Sequence, residues 1–346
     1  MLFSLQEDTG STISVYVVPD SGGTLPSVRV RSNGVELMTL SANVTIAALV
    51  QAGRHATGLC GFAIDDSMIP DLAGYASLEI VEADSNILVY RRAIPDAIPD
   101  TNLFRLETHL LPLWRIDDAL KSRFQYWYKG IDRFGRETST QVFCLNNGTS
   151  SYVSGRLLYK NYEFYLSKGI KTVAMMRDPY DELAERLILL KNIGTRAEEV
   201  LGARDAITFA PVIEGLAQCA EFDDDFCKRF FKRASDDVLM ALANPLVRQL
   251  TTSTPDEMPN HASVAAALDV LSTFDLIGLR AESGDFNAGL SELLAIPDLA
   301  VPPVPEYARV SDLGSRLRGN GSIEAFLEKD LELFHFLAKA FTTARR

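Results

Sequence analysis

Nothing in this sequence approaches an uninterrupted apolar run of about 20 residues, the length a membrane-spanning helix requires. Its first stretch, MLFSLQEDTGSTISVYVV, places acids where a secretory leader needs positive charge, and it lacks a sustained apolar centre. These absences point to a cytoplasmic chain, with peripheral association to a membrane polysaccharide assembly left open. Cysteine is scarce too: Cys60, Cys144, Cys219 and Cys227 form no CxxC pair, so they read as incidental or buried thiols. The glycosylation patterns at Asn43-Val44-Thr45 and Asn147-Gly148-Thr149 mean nothing in that compartment. Positive charge is in short supply, with 34 Lys and Arg against 46 Asp and Glu for a net charge of −12. A nucleic-acid partner is therefore not expected, since such binders present a basic patch or stripe. A local pocket for a small anion is not excluded, because it needs only a few cations.

What is present is enough apolar material for a large core. The chain has 346 residues, 47% of them hydrophobic, which is natural for two domains. Residues 1–92 read as short strands rich in Val, Ile and Thr: STISVYVVP, PSVRVRSNG, VELMTLS, ANVTIAALV, LCGFAID, ASLEIVEAD and NILVYRR. Alternating polarity and turns such as SNG and ADSN predict an antiparallel β-sandwich. AIPDAIPDTN, 93–102, repeats Ile-Pro-Asp; each proline disfavours helix at the residue before it, so this is a linker.

From 103 to 346 the rhythm changes. PLWRIDDALKSRFQYWYKG has helical spacing, TQVFCLN reads as a strand, SSYVSGRLLYKNYEFYLSKG as a helix, and IKTVAMM as a second strand. DPYDELAERLILLKNIG predicts a helix, with Pro179 and acids in its first turn and Lys191 and Gly194 at its close. This succession predicts an α/β fold with a parallel sheet. A mostly helical part follows from 197 to about 296, broken by a strand at FDLIGL. AIPDLAVPPVPEY reads as irregular, and GSIEAFLEKDLELFHFLAKAF as a terminal amphipathic helix with Ser322 at its cap.

In a parallel sheet, ligands bind beyond the carboxyl ends of the strands. The stretches after VFC and after VAMM are the expected places, each leading into a helix start whose amides and dipole suit an anion. The first offers Gly148 in a small polar turn; the second offers Arg177, whose planar fork suits phosphate.

The order strand, NNGTSSYVSGRLL, strand, RDPYDELAERLILL resembles the P-loop carbohydrate sulfotransferases. NPLVRQLT, FDLIGL and IEAFLEKDLELFHFLAKAF extend the resemblance to roughly 138–343. It implies a P-loop sulfotransferase-like domain with a helical C-terminal part that moves sulfate from 3′-phosphoadenosine 5′-phosphosulfate to a carbohydrate hydroxyl, without a metal. RHATGLCGFAID followed by ASLEIVEADSNILVY is similar to small β-domains that accompany bacterial surface-polysaccharide enzymes, which places the carbohydrate acceptor in polysaccharide or glycolipid assembly.

Carried over to this sequence, Asn146, Asn147, Gly148, Thr149, Ser150 and Ser151 would hold the phosphosulfate, and Arg177 the 3′-phosphate. Two positions depart from the family. The stretch Cys144, Leu145, Asn146 lacks the lysine expected before the Gly-Thr run, and Glu185 stands where a serine joins the arginine. Arg156, Arg186, Lys160 and Lys171 are the cations that can substitute. For the acceptor-side base, His109 with its neighbour Glu107 is the leading candidate, ahead of His261; His335 reads as packed on a helix face. AEFDDDFCKRFFKRASDD, 220–237, reads as a solvated face over an aromatic stripe, and YWYKG, 126–130, as core aromatics that can also stack on sugar rings. The departures favour an alternative in which the same fold, without catalysis, binds a saccharide or a partner protein.

Overall fold

A computed structural model describes residues 1–21, 24–93, 98–145, 148 and 150–344. Linker residues 94–97, and Asn146, Asn147 and Thr149 of the expected donor loop, lie outside the described residues. The chain divides into two compact units. The first is Met1–Phe104, Asp117–Ser154 and Lys168–Ile170; the second is Arg105–Ile116, Gly155–Ser167 and Lys171–Arg346. The first unit thus takes in residues 117–154 beyond the expected linker.

The first unit opens with β1 (Leu2–Asp8), β2 (Thr12–Val18), β3 (Ser27–Ser32), β4 (Val35–Ser41), β5 (Val44–Thr45) and α1 (Ala47–Gln51). It continues with β6 (Leu59–Asp65), β7 (Leu78–Glu82) and β8 (Leu88–Arg91). Two antiparallel four-stranded sheets result, in the orders β1-β2-β6-β5 and β4-β3-β7-β8. The alternation read from the sequence has its cause here: Ile13, Val15 and Val17 of β2, and Val28 and Val30 of β3, point to one buried face. ANVTIAALV is a strand for only two residues and then turns into α1. β1 was not anticipated, since LFSLQED mixes its apolar residues with a closing acidic pair.

That acidic end does structural work. Asp8 accepts from Tyr90 Oη at 2.6 Å and from Arg92 Nε and Nη2 at 2.9 Å each. Arg92 also donates to the carbonyls of Leu72, Tyr75 and Gly10. The bonds to Arg92 and Tyr90 hold the Asp8 carboxyl below its usual range against the opposing effect of burial.

The chain then forms β9 (Asn102–Leu106), α2 (Trp114–Leu120), β10 (Tyr126–Tyr128), α3 (Arg136–Gln141), β11 (Ser151–Gly155), α4 (Glu163–Leu166) and β12 (Lys171–Met176). With β13 (Leu276–Leu279) these strands make a five-stranded sheet of order β10-β11-β9-β12-β13, with β10 and β11, and β12 and β13, parallel. Three expectations are corrected. The described part of TQVFCLN, 140–145, is not a strand, because α3 runs through Gln141 into a turn where Phe143 packs edge-on against Phe104 at 5.5 Å. SSYVSGRLLYKNY is not one helix: Ser151 to Gly155 are all buried, the signature of a strand covered on both faces. PLWRIDDALKSRFQYWYKG is helical only to Leu120, and its YWY is β10.

The second unit adds α5 (Pro179–Ile193), α6 (Ala197–Leu201), α7 (Ala203–Leu216), α8 (Asp224–Lys232), α9 (Asp236–Leu242), α10 (Pro245–Thr251), α11 (Ser263–Leu271), α12 (Ser283–Leu293), α13 (Ala308–Leu317) and α14 (Gly321–Ala344). α5 begins as expected, with Pro179 at its start and the Asp178 carboxylate accepting from Tyr180 N at 3.0 Å. Leu183, Leu187 and Leu190 of α5 meet Phe209, Val212 and Leu216 of α7 and Leu313 and Leu317 of α13 in one core. A side chain at Gly314 would collide with Asp181, so α13 can lie this close to α5 only with glycine there. α14 is capped two positions earlier than expected, by Asn320 Oδ1 accepting from Ser322 N at 3.1 Å. Among the described residues, no helix is long and apolar enough to cross a membrane.

Asp8→Ala leaves the Arg92 guanidinium without its charge partner. Urea unfolding is expected to show a loss of about 2 kcal/mol, the scale of hydrogen bonds to a charged group.

Candidate functional site

Four neighbouring strands of the sheet end inside the second unit, and the residue after each end is ionisable. β9 leads to Glu107, β11 to Arg156, β12 to Arg177 and β13 to Arg280. This is the carboxyl edge where α/β sheets take their ligands. α5 contributes Glu182, Glu185 and Arg186, α7 Asp205, α10 Arg248 and Gln249, and α14 Asp330.

The loop after β9 is a nest of backbone N–H groups already supplied with anions. The Glu107 carboxylate accepts from His109 N at 3.1 Å and Leu113 N at 2.7 Å. It also takes Arg105 Nη1 at 2.9 Å and faces His109 Nδ1 at 2.9 Å. Leu110 N donates to Glu182 Oε1 at 3.2 Å, and Arg186 Nε reaches the same oxygen at 2.8 Å. Thr108 Oγ1 donates to Met175 O at 2.6 Å, and Gln249 Nε2 to Glu107 O at 2.8 Å, so the loop is pinned from two sides. Burial alone would push both carboxyls up. The Arg105 charge and the His109 bond outweigh it at Glu107 and hold that group far below its usual value. The Arg186 charge does the same for Glu182, which falls to about 2.

A second set of internal carboxylates occupies the arginines. Arg280 grips Glu185 with Nη1 and Nη2, both at 3.0 Å, and Arg177 Nη1 meets the same carboxylate at 3.0 Å. Glu306 closes the group from the irregular crossing, 3.3 Å from Arg177 Nη2 and 3.5 Å from Arg280 Nε. Arg177 is only 7% exposed.

Beyond these filled seats lies a cleft of about 120 Å³ lined by Arg156, Arg186, Arg204 and Arg248, with Asp205 as the single acid. That is roughly ten times the space one water needs. Asp205 is committed to Arg156, and to Arg204 Nε at 2.9 Å. Arg248 donates only to the carbonyls of Met240 and Ala241; among the described residues no carboxylate pairs with it. Burial, and then the like charge of Arg186, pull its pKa down. Arg248 thus lines the cleft with no carboxylate in contact, Asp330 acting on it only at longer range, and a cation so placed describes a seat for an anion.

α10, which carries Arg248, is held at its start by α14. The Asp330 carboxylate accepts from Leu246 N at 3.0 Å and Val247 N at 2.8 Å, while Asn244 Oδ1 accepts from Lys329 N and Asp330 N. Asn244 adopts a left-handed φ of 43°, which asparagine tolerates better than most residues. Burial pushes Asp330 up to about 6 even against those two amide bonds.

The structure brings Glu107, His109, Arg177 and Glu185 into one unit, together with Arg156 and Arg186. It places Gly148, Ser150 and Ser151 in the other unit, the first two just before β11 and Ser151 at its first position. A side chain at Gly148 would strike the Tyr126 ring, Ser150 O accepts from Tyr126 N at 3.1 Å, and Ser151 Oγ meets Asn102 Oδ1 at 2.8 Å. These are contacts of strand pairing. His261 and His335 are exposed, the latter packed edge-on against Phe336. The 220–237 stretch buries Cys227 and Phe231 and stacks Phe226 on Phe230, as an aromatic stripe should. Among the described residues no group of three His, Cys, Asp or Glu side chains is placed to hold a metal. Arg248, Arg280 and Asp330 were not anticipated; the one available signal was NPLVRQLT, which was noted for its order and not for its charge.

The shifted carboxyls give a two-sided pH profile. Asp330 binds its proton more tightly folded than unfolded, so stability rises as pH falls from 7 through about 6. Glu107 and Glu182 have depressed values, so their contribution is present above 4.5 and is lost as pH falls below it toward about 2. Melting temperature followed from pH 7 to pH 2 is expected to climb and then drop. Asp330→Asn should remove the climb, and Glu182→Gln should start lower and flatten the drop.

No family model matches the chain, and no curated protein matches it.

Proposed function

We propose that this protein is a sulfotransferase-like α/β protein that binds an anionic saccharide, a sulfate or phosphate ester of a sugar, at its carboxyl-edge cleft without transferring a group. The observation that carries this reading is Arg248, a half-buried guanidinium with no carboxylate partner, facing a cleft that already contains Arg156, Arg186 and Arg204. A doubly charged ester supplies the counter-charge that Asp205 alone does not. The donor-binding role is disfavoured by occupancy: Glu185 and Glu306 face Arg177, and Glu107 and Glu182 take the amides after β9, where a nucleotide phosphate would compete with carboxylates already in place. Binding in surface polysaccharide or glycolipid assembly is the setting that fits such a ligand.

One observation favours a second reading, sulfuryl transfer from 3′-phosphoadenosine 5′-phosphosulfate to a carbohydrate hydroxyl. His109 is held at Nδ1 by Glu107, while its buried Nε2 has no partner, the arrangement of an oriented general base. Glu107 would position the ring and His109 would accept the proton.

Thermal unfolding separates the two. A sugar sulfate or sugar phosphate at about 100-fold above its Kd should add about 2.7 kcal/mol to stability. Arg248→Ala should abolish that gain, whereas Arg177→Ala should leave it. Absence of any gain with either ester, or a gain untouched by Arg248→Ala, overturns the binding reading. A gain with adenosine 3′,5′-bisphosphate that disappears in Arg177→Ala establishes the donor site instead.

A further inference from the structure

The first unit contains a groove of its own, of about 350 Å³, between the β4-β3-β7-β8 sheet and the segment around β10. Trp127 lines it, with its ring direction fixed by Nε1 donating to Asp117 O at 2.7 Å. Lys121 Nζ lies 5.5 Å and Lys129 Nζ 5.3 Å from the ring centroid. Arg31 and Arg91 face the groove from the sheet, where register sets both directly across from Glu79. Glu79 is bound to Arg91 at 2.6 Å and is the only acid in the lining. Ser85 and Asn86 at the β7–β8 turn add short polar groups.

We infer that this groove is a binding site for a short acidic oligosaccharide, with a sugar ring seated on Trp127 and its carboxylate or sulfate between Lys121 and Arg31. Each element answers one feature of that ligand. The indole face suits the C–H side of a pyranose ring, and Ser85 and Asn86 suit its hydroxyls. The two lysines rest over the ring through cation–π contacts, which are weak at exposed sites. A sugar ring displaces a lysine from the indole while the lysine stays within reach of the acidic group. Arg91 is spent on Glu79 and on the carbonyls of Lys121 and Phe124, and Lys129 on Asp118 at 2.7 Å, so these two shape the groove. Charge decides against nucleic acid: the chain carries −12, and an extended polyanion is repelled wherever it leaves the groove, whereas a short acidic sugar places its charge inside it.

This site is separate from the arginine cleft and stands whether or not that cleft binds a ligand. The test uses the full chain with Trp114→Phe, so that Trp127, the other of the two tryptophans, is the sole indole reporter. Fluorescence is titrated with a short oligogalacturonate, with its fully methyl-esterified counterpart, with a sulfated oligosaccharide and with an oligonucleotide of matched charge. Saturable quenching by the carboxylated or the sulfated sugar is expected, weakening with added salt, and at least about tenfold weaker for the uncharged ester. Lys121→Glu, an exposed change that leaves the sheet untouched, should cost about tenfold, with Arg31→Glu checking it from the other wall. Arg248→Ala should change nothing. No quenching by either acidic sugar, equal binding of the ester, tighter binding of the oligonucleotide, or indifference to both charge reversals overturns the proposal.

Discussion

One carboxylate organises the carboxyl edge of the sheet. Glu185 lies between Arg177 and Arg280, the residues that follow two adjacent strands, accepting two hydrogen bonds from Arg280 and ion-pairing with Arg177, all at 3.0 Å. With one charge against two, the group is not neutral until Glu306 joins from the proline-rich crossing. Removing either partner from such a buried group strands a charge in low dielectric, which costs far more than the pair contributes. The strand ends, the α5 helix and the crossing are thereby locked to one another by electrostatics as much as by apolar packing.

The same principle recurs after β9, where Glu107 and Glu182 neutralise backbone amides and Arg186. The edge is therefore divided into two electrostatic zones. In one, anions are built into the chain and face the arginines at close range. In the other, around Arg248, donors outnumber acids. A ligand gains only where the protein has not already satisfied itself, so the place for a foreign anion follows from counting internal ones.

Much of this was legible in the sequence, and the exceptions have physical causes. The β-rich first part, β12, α5 with its Asp178–Pro179 start, β13 and the long last helix all follow from patterns with a single strong period or an explicit cap. The stretch 140–166 did not, because a short fully buried strand such as SYVSG has no alternation to display, and an apolar run such as VFCL can equally close a helix. Mistaking the strand by one element moved the expected anion loop to the wrong end of β11. Glu107 and His109 were singled out from where the resembled family carries a base, and the structure puts the two side chains 2.9 Å apart. Glu185 was noticed as an anomaly, and it meets Arg177 as its charge suggests. Arg280 and Asp330 were out of reach, since their partners lie 95 and 84 residues away.

The mutual grip between α10 and α14 has a temporal side. The amides of Leu246 and Val247 find their acceptor on a residue more than 80 positions downstream. A chain emerging from the ribosome therefore makes the helix bearing Arg248 long before the group that completes its first turn exists. The first turn of that helix gains its two acceptors only once residue 330 has been made.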